Sequence, residues 1–297
     1  MSRASMPVPS SAAAEAPSGK DQAYENFPVG SWLLPAPVRP HVAVFYAFAR
    51  AIDDVADSAL LTPEEKIARL DGFERAVLGQ GPEAPAFAKG HAMRRTLRQT
   101  GITPRHCQDL IDAFKQDAIK NRYASWTELV DYCMRSAAPV GRFLLDLHGG
   151  SRHGYGPADA LCNALQVINH LQDCQEDFRV LDRVYLPGDW LAEAGVAVAE
   201  LGGMGASWPL RQVLDRTLDG VAALLEEAAP LPAGLRSRRL ALESGAILDI
   251  AWTLTGRLRR EDPLAGRIAL SKAHYLLCCA RGAAAAAFQG SGQGSGR

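Results

Sequence analysis

The sequence predicts an all-α protein, a single helical bundle whose side chains face a central core or cavity, and three observations carry that expectation. Apolar residues recur at intervals of three and four, as in Leu110, Ile111 and Phe114 or Val213, Leu214, Leu218, Val221, Leu224 and Leu225, which is the period of a helix face. Helix starts are marked by cap residues followed by proline or by a reciprocating glutamate, while alternating strand patterns are close to absent. The connections are short, so consecutive helices pack as antiparallel neighbours.

Residues 1–20 are poor in large apolar side chains and read as flexible. Helices are expected near 21–29 and 38–58, separated by the turn around Glu25-Asn26-Phe27-Pro28-Val29-Gly30 and the loop Leu34-Pro35-Ala36-Pro37, with Pro40 in the first turn of the second helix. Thr62-Pro63-Glu64-Glu65 is a capping box that opens 63–79. A helix at 83–100 follows; Thr103-Pro104 opens 104–120, and a second box, Ser125-Trp126-Thr127-Glu128, opens 125–148. Inside that stretch Pro139 must interrupt the hydrogen-bond ladder. Its small neighbours Ala137, Ala138 and Gly141 suit either a plain break or a bend that opens a cavity. Helices at 157–178, 187–200, 207–229, 235–259 and 263–286 complete the chain, the third of these opened by Ser207-Trp208-Pro209. One domain over 21–288 is expected, with a disordered Gly/Ser tail at 289–297.

Composition narrows the function. In 297 residues, 47% hydrophobic and 22% charged leave ample core. A formal net charge of -1 with interspersed signs provides no basic stripe for nucleic acid. The six cysteines form no CxxC pair and read as reduced thiols, which points to the cytoplasm. The sequence contains neither an apolar signal core nor a run long enough to span a bilayer, leaving only peripheral contact with the inner membrane face open.

Two stretches carry chemistry. In the 38–58 helix, Tyr46, Arg50, Asp53 and Asp57 fall on one stripe, with Asp54 to its side. Carboxylates at i and i+4 repel unless a cation sits between them, so the stripe is either a solvated helix end or one wall of a divalent-ion site. In the 157–178 helix, Gln166, Asn169, Asp173 and Asp177 build a second polar stripe opposite Leu165, Ile168 and Leu171. Two such stripes turned toward one space would offer the hard oxygen ligands that Mg²⁺ prefers, and Mg²⁺ of this kind bridges to phosphate oxygens.

The chain resembles the squalene and phytoene synthases, the head-to-head isoprenyl diphosphate synthases, over roughly residues 22–285. Tyr46-Ala-Phe-Ala-Arg50-Ala-Ile-Asp53-Asp54-Val-Ala-Asp57 resembles the family's first aspartate-rich motif, and Asn169-His-Leu-Gln-Asp173-Cys-Gln-Glu-Asp177 its second. Arg183-Val-Tyr185-Leu-Pro187 and Tyr132-Cys-Met-Arg-Ser-Ala-Ala-Pro139-Val-Gly141 resemble the segment after the second motif and the kinked helix. Within the family the Glu25-to-Val29, Asn169-to-Cys174 and Leu181-to-Tyr185 segments are most similar to bacterial hydroxysqualene synthases.

That resemblance implies an isoprenoid-synthase fold and a Mg²⁺-dependent enzyme converting presqualene diphosphate to hydroxysqualene without NADPH. It implies Asp53, Asp57, Asn169, Asp173 and Asp177 as metal ligands. Arg50, Gln166, Asn169, Arg183, Tyr185 and Arg267 are implied around the diphosphate, while Tyr46 and Tyr132 steer the cation or a water. Phe45, Phe48, Met134, Phe143 and Leu144 are candidates for an apolar cation-guiding wall, or plain core. His148 and His170 read as structural. A presqualene diphosphate synthase and a flavin-dependent reductase are the implied partner enzymes. The alternatives are condensation of two farnesyl diphosphates, diphosphate hydrolysis without carbon rearrangement, and a silent prenyl-lipid scaffold. Asn26-Phe27-Pro28-Val29 departs from the Ser/Lys-type phosphate-holding sequence of many relatives, and Pro139 from the residue usual in phytoene and dehydrosqualene synthases.

Overall fold

The computed structural model describes residues 34–291, so the expected 21–29 helix and the Asn26-to-Val29 segment lie outside it. The described residues fall into two compact units, residues 43–119 and residues 34–42 with 120–291.

In the first unit, α1 (Arg39–Asp57, from Ala43 onward) precedes α2 (Pro63–Leu78), a 3-10 turn (Pro85–Phe87), α3 (Ala88–Thr100) and α4 (Arg105–Asp117). The Thr62 box forms in full: the Thr62 hydroxyl accepts from the Glu65 N–H, the Glu65 carboxylate accepts from the Thr62 N–H, and Gly79 ends α2 at a left-handed φ of 72°. Phe48, fully buried, meets Phe73 edge-on at 6.3 Å, and Phe73 meets Phe87 at 5.3 Å. Gly72 is flush with Phe87; a Cβ there would stand 2.1 Å from its ring. Lys115 on α4 reaches Asp71 and Glu74 on α2, at 2.6 and 2.7 Å.

The second unit is built on α7 (Gly156–Gln172), 12 of whose 17 residues are buried, so it is the unit's central helix rather than a half-exposed one. The expected 125–148 helix is two, α5 (Trp126–Ser136) and α6 (Ala138–Leu147), broken at Ala137 ahead of Pro139. The space beside Gly141 is filled: α6 lies so close to α7 that a Cβ on Gly141 would be 2.7 Å from the Cys162 sulfur. The Arg142 guanidinium clamps Asp159 with two 2.8 Å bonds across the same seam. Of the second box only half forms, because Ser125 accepts from the Glu128 N–H while the Glu128 carboxylate turns to the Ala124 N–H and Lys120.

The expected 157–178 helix also breaks, at Asp173, into α7 and α8 (Cys174–Leu181). Next comes what period reading missed, a parallel pair of short strands, β1 (Arg122–Tyr123) and β2 (Val184–Pro187). Two-residue and four-residue strands are too short to show alternation. The expected 187–200 helix shrinks to α9 (Gly188–Glu193) and a 3-10 turn (Val198–Gly202). After α10 (Trp208–Ala228) and the single turn α11 (Leu231–Gly234), α12 (Arg238–Leu258) packs against α13 (Lys272–Ser291). The last helix starts nine residues later than expected, because residues 259–271 form an irregular connection containing Pro263. It also runs three residues into the expected tail, carried by the alanines at 283–287.

Candidate active site

The acidic stripes occupy one unit each. In the first, Tyr46, Arg50, Asp53, Asp54 and Asp57 are all half-buried on α1. Arg50 Nη1 stands 3.3 Å from Asp53 Oδ2 and its Nε 3.2 Å from Asp54 Oδ1, so one guanidinium one turn up the helix serves both carboxylates. Asp54 is therefore tied into the stripe, although its position on the helical wheel sets it to the side. The reason is the reach of arginine: i+3 and i+4 are both within its fork.

In the second unit, Asn169 and Asp173 belong to the last turn of α7 and its end, and Asp177 to the first turn of α8. The backbone carries the stripe through the break, with the Asp173 N–H donating to the Asn169 carbonyl at 3.0 Å and the Asp177 N–H to the Asp173 carbonyl at 2.8 Å. Arg267, in the irregular segment before α13, donates from Nε to Asp173 Oδ1 at 2.7 Å. It stands outside any helix, where the sequence placed it inside 263–286. Arg183 is buried just ahead of β2, reached by a left-handed turn at Asp182 with φ 52°.

Beside this stripe lies an aromatic cluster. Tyr185 on β2 stacks on His170 with ring centroids 3.5 Å apart, on Tyr123 at 5.6 Å and on Tyr132 at 5.9 Å. Gln166 Nε2 lies 3.2 Å from His170 Nε2, and an amide N–H donating there leaves the imidazole proton on Nδ1. Burial, with the Arg183 charge adding to it, pushes the His170 pKa down to about 3, so this ring is neutral. His148, hydrogen-bonded to the Leu144 carbonyl at 2.7 Å, is likewise lowered by burial. Sequence reasoning passed over Tyr123 and the stacking of His170, because β1 and β2 are 61 residues apart at Tyr123 and Val184 and only their pairing makes the cluster. The cavity behind it, lined by Val167, His170, Cys174, Tyr185 and Leu201, has room for about one water and is far too small for a long prenyl chain.

Of the candidate wall residues, Phe48 and Phe143 are fully buried, Phe45 is buried, and Met134 and Leu144 are half-buried. The donor chemistry suits a hard divalent ion, since the stripes offer carboxylate and amide oxygens only. Among the described residues no group of three or more His, Cys, Asp or Glu side chains converges as a metal site, and Arg50 and Arg267 hold part of the acidic charge.

Two aspartate stripes, each met by an arginine, give a helical protein the donor chemistry that a diphosphate-handling enzyme needs. The squalene/phytoene synthase pattern matches residues 20–274, and the chain belongs to that family. It is 40% identical over 261 residues to the hydroxysqualene synthase of Zymomonas mobilis subsp. mobilis, covering 87% of each chain. It is 41% identical over 265 residues to that of Rhodopseudomonas palustris, covering 89% of this chain and 90% of the relative. Among solved structures it is similar to squalene synthase HpnC from Alicyclobacillus acidocaldarius, with a TM-score of 0.68, 30% identity, and 78% and 87% of the two chains covered.

Proposed function

We propose that this enzyme converts presqualene diphosphate to hydroxysqualene by ionising the diphosphate, rearranging the resulting cation and adding water. The observation that carries this reading is the 40–41% identity to hydroxysqualene synthases over close to nine tenths of both chains. The residues support it in kind. Asp53 and Asp57 would hold Mg²⁺, as would Asn169, Asp173 and Asp177. When bound, Mg²⁺ supplies neutralisation of the charge that builds on the departing diphosphate.

The chain's own groups have the following roles. Arg50, Arg183 and Arg267 bind the outer phosphate oxygens, with Gln166 and Tyr185 beside them. Arg50 and Arg267 already rest on Asp53 and Asp173, so they are placed to pass from carboxylate to phosphate as substrate enters. Tyr46 and Tyr132 present rings and hydroxyls to the cation, whose charge the faces of aromatic rings attract. The neutral state of His170 keeps a competing positive charge out of the tyrosine cluster. No hydride donor enters the reaction. The enzyme acts after one that makes presqualene diphosphate and before a reductase that removes the hydroxyl, in the cytoplasm with peripheral contact at the membrane where its lipid substrate resides.

A second reading is condensation of two farnesyl diphosphates, favoured by the 30% identity to a structure described as a squalene synthase. One assay separates them. Purified protein is given Mg²⁺ and either presqualene or farnesyl diphosphate, without NADPH, and the lipids are identified by mass spectrometry. Hydroxysqualene from presqualene diphosphate alone is the expected outcome; presqualene diphosphate or hydroxysqualene made from farnesyl diphosphate selects the second reading, and no turnover of either removes both. Chelation with EDTA should stop the reaction and excess Mg²⁺ restore it.

A further inference from the structure

Water capture needs a water held at one place in an apolar interior, and the following rests on the reading that water ends the reaction. A water is kept in such surroundings only by polar atoms that want it. Among the second unit's buried polar atoms without a partner, two oxygens lie on α5 and α7, the helices that carry Tyr132 and the second acidic stripe. Asn163 is one turn before Gln166 on α7 and 2% exposed. Its Nδ2 donates to the Met134 sulfur at 3.1 Å, a weak acceptor, and its Oδ1 is buried with no hydrogen-bond partner among the described residues. On α5, Ser136 is 8% exposed and its hydroxyl is buried, also without a partner there. Helical hydroxyls usually bond the carbonyl four residues back, as Thr217, Thr253 and Thr255 do here. Ser136 departs from that habit.

The two residues belong to helices that meet. Tyr132 of α5 faces His170 of α7, and Met134 of α5 touches Asn163, so the helices run antiparallel where they meet. Ser136 is one turn beyond Tyr132 on α5 and Asn163 two turns before His170 on α7, so both lie on the pair of helices that meet there. Buried unpaired oxygens are costly, and each of these two calls for a small polar partner.

We propose that Asn163 Oδ1 and Ser136 Oγ hold the water that adds to the final carbocation, and so determine that the product is an alcohol. With its two hydrogens given to these acceptors, the water keeps a lone pair directed at the cation. The substrate C–O bond breaks with its electron pair leaving on diphosphate, and after rearrangement the water oxygen forms the new C–O bond. The surplus proton passes to the released diphosphate, so substrate and water give alcohol and hydrogen diphosphate. Without a held water the same cation loses a C–H proton and becomes a polyene.

The test uses the full chain with presqualene diphosphate and Mg²⁺ in ¹⁸O-water, following diphosphate release and lipid products for wild type, Asn163→Leu, Asn163→Asp and Ser136→Ala. Wild type should give ¹⁸O-labelled alcohol. In Asn163→Leu diphosphate release should persist while the alcohol share falls about tenfold or more and hydrocarbon replaces it; Ser136→Ala should shift in the same direction, and Asn163→Asp, which keeps an acceptor oxygen, should recover alcohol. An unchanged alcohol share in Asn163→Leu overturns the proposal, as does equal loss of release and alcohol in a folded variant. Should Asn163→Leu fail to fold, an unchanged share in Ser136→Ala overturns it. A wild type that makes no alcohol instead sinks the reading beneath it.

Discussion

At the scale of single residues, the acids of the two stripes differ in what they already hold. Asp53 and Asp54 share Arg50, and Asp173 has Arg267. Exposed or half-exposed pairs of this sort contribute little to stability, about 0–1 kcal/mol. Removing such a carboxylate should therefore leave the fold and remove the chemistry. Asp57→Ala and Asp173→Ala are each expected to lower turnover by at least about 100-fold, with far-ultraviolet circular dichroism unchanged. Activity retained in either variant would show that the stripes are not the metal ligands. The sequence showed these residues because helical spacing is a local property; it left Asp54 open because only the Arg50 rotamer ties it in. Likewise Arg267 could be named but not placed, since its contact with Asp173 joins residues 94 apart.

At the scale of elements, the α12–α13 pair shows where small residues serve packing. Gly245 and Gly282 let the two backbones approach so closely that a Cβ on Gly282 would stand 2.1 Å from the Gly245 carbonyl oxygen. Backbone cannot swing aside as a side chain can. Gly282→Val should cost about 2 kcal/mol or more through overpacking, read as a lower denaturant midpoint, while a substitution at exposed Gly266, with nothing within 4 Å of its Cβ position, should cost far less. An unchanged midpoint in Gly282→Val would mean that the helices do not meet there. Capped starts such as Thr62 and Ser207 were legible in the chain. The interruption at Pro139 was legible too, since a proline inside a helical stretch breaks the ladder, whereas the break at Asp173 carries no local breaker and the β1–β2 pair depends on a partner distant in sequence.

At the scale of the whole molecule, burial in the fold moves the Glu243 carboxyl toward neutrality. Glu243 on α12 is 5% exposed, its Oε2 has no partner among the described residues, and burial raises its pKa from 4.5 to about 7. Between those values the folded protein holds a proton that the unfolded chain has released. Stability therefore falls as pH rises through that window. Glu243→Gln keeps the shape and removes the titration: it should match wild type near pH 4.5 and exceed it at pH 8 by on the order of 3 kcal/mol, seen as a higher Tm. Equal pH dependence of the two proteins would show that Glu243 ionises without cost.

The sequence by itself determined the helical class, most helix starts, both acidic stripes and the family, because each is written in residues within a few turns of one another. Tertiary structure decided the rest: which guanidinium rests on which carboxylate, the stacking of Tyr185 on a neutral His170 and on Tyr123 and Tyr132, and the unpartnered oxygens of Asn163 and Ser136. Those depend on side chains meeting across long stretches of chain, and on the loss of water around them, which no local period records.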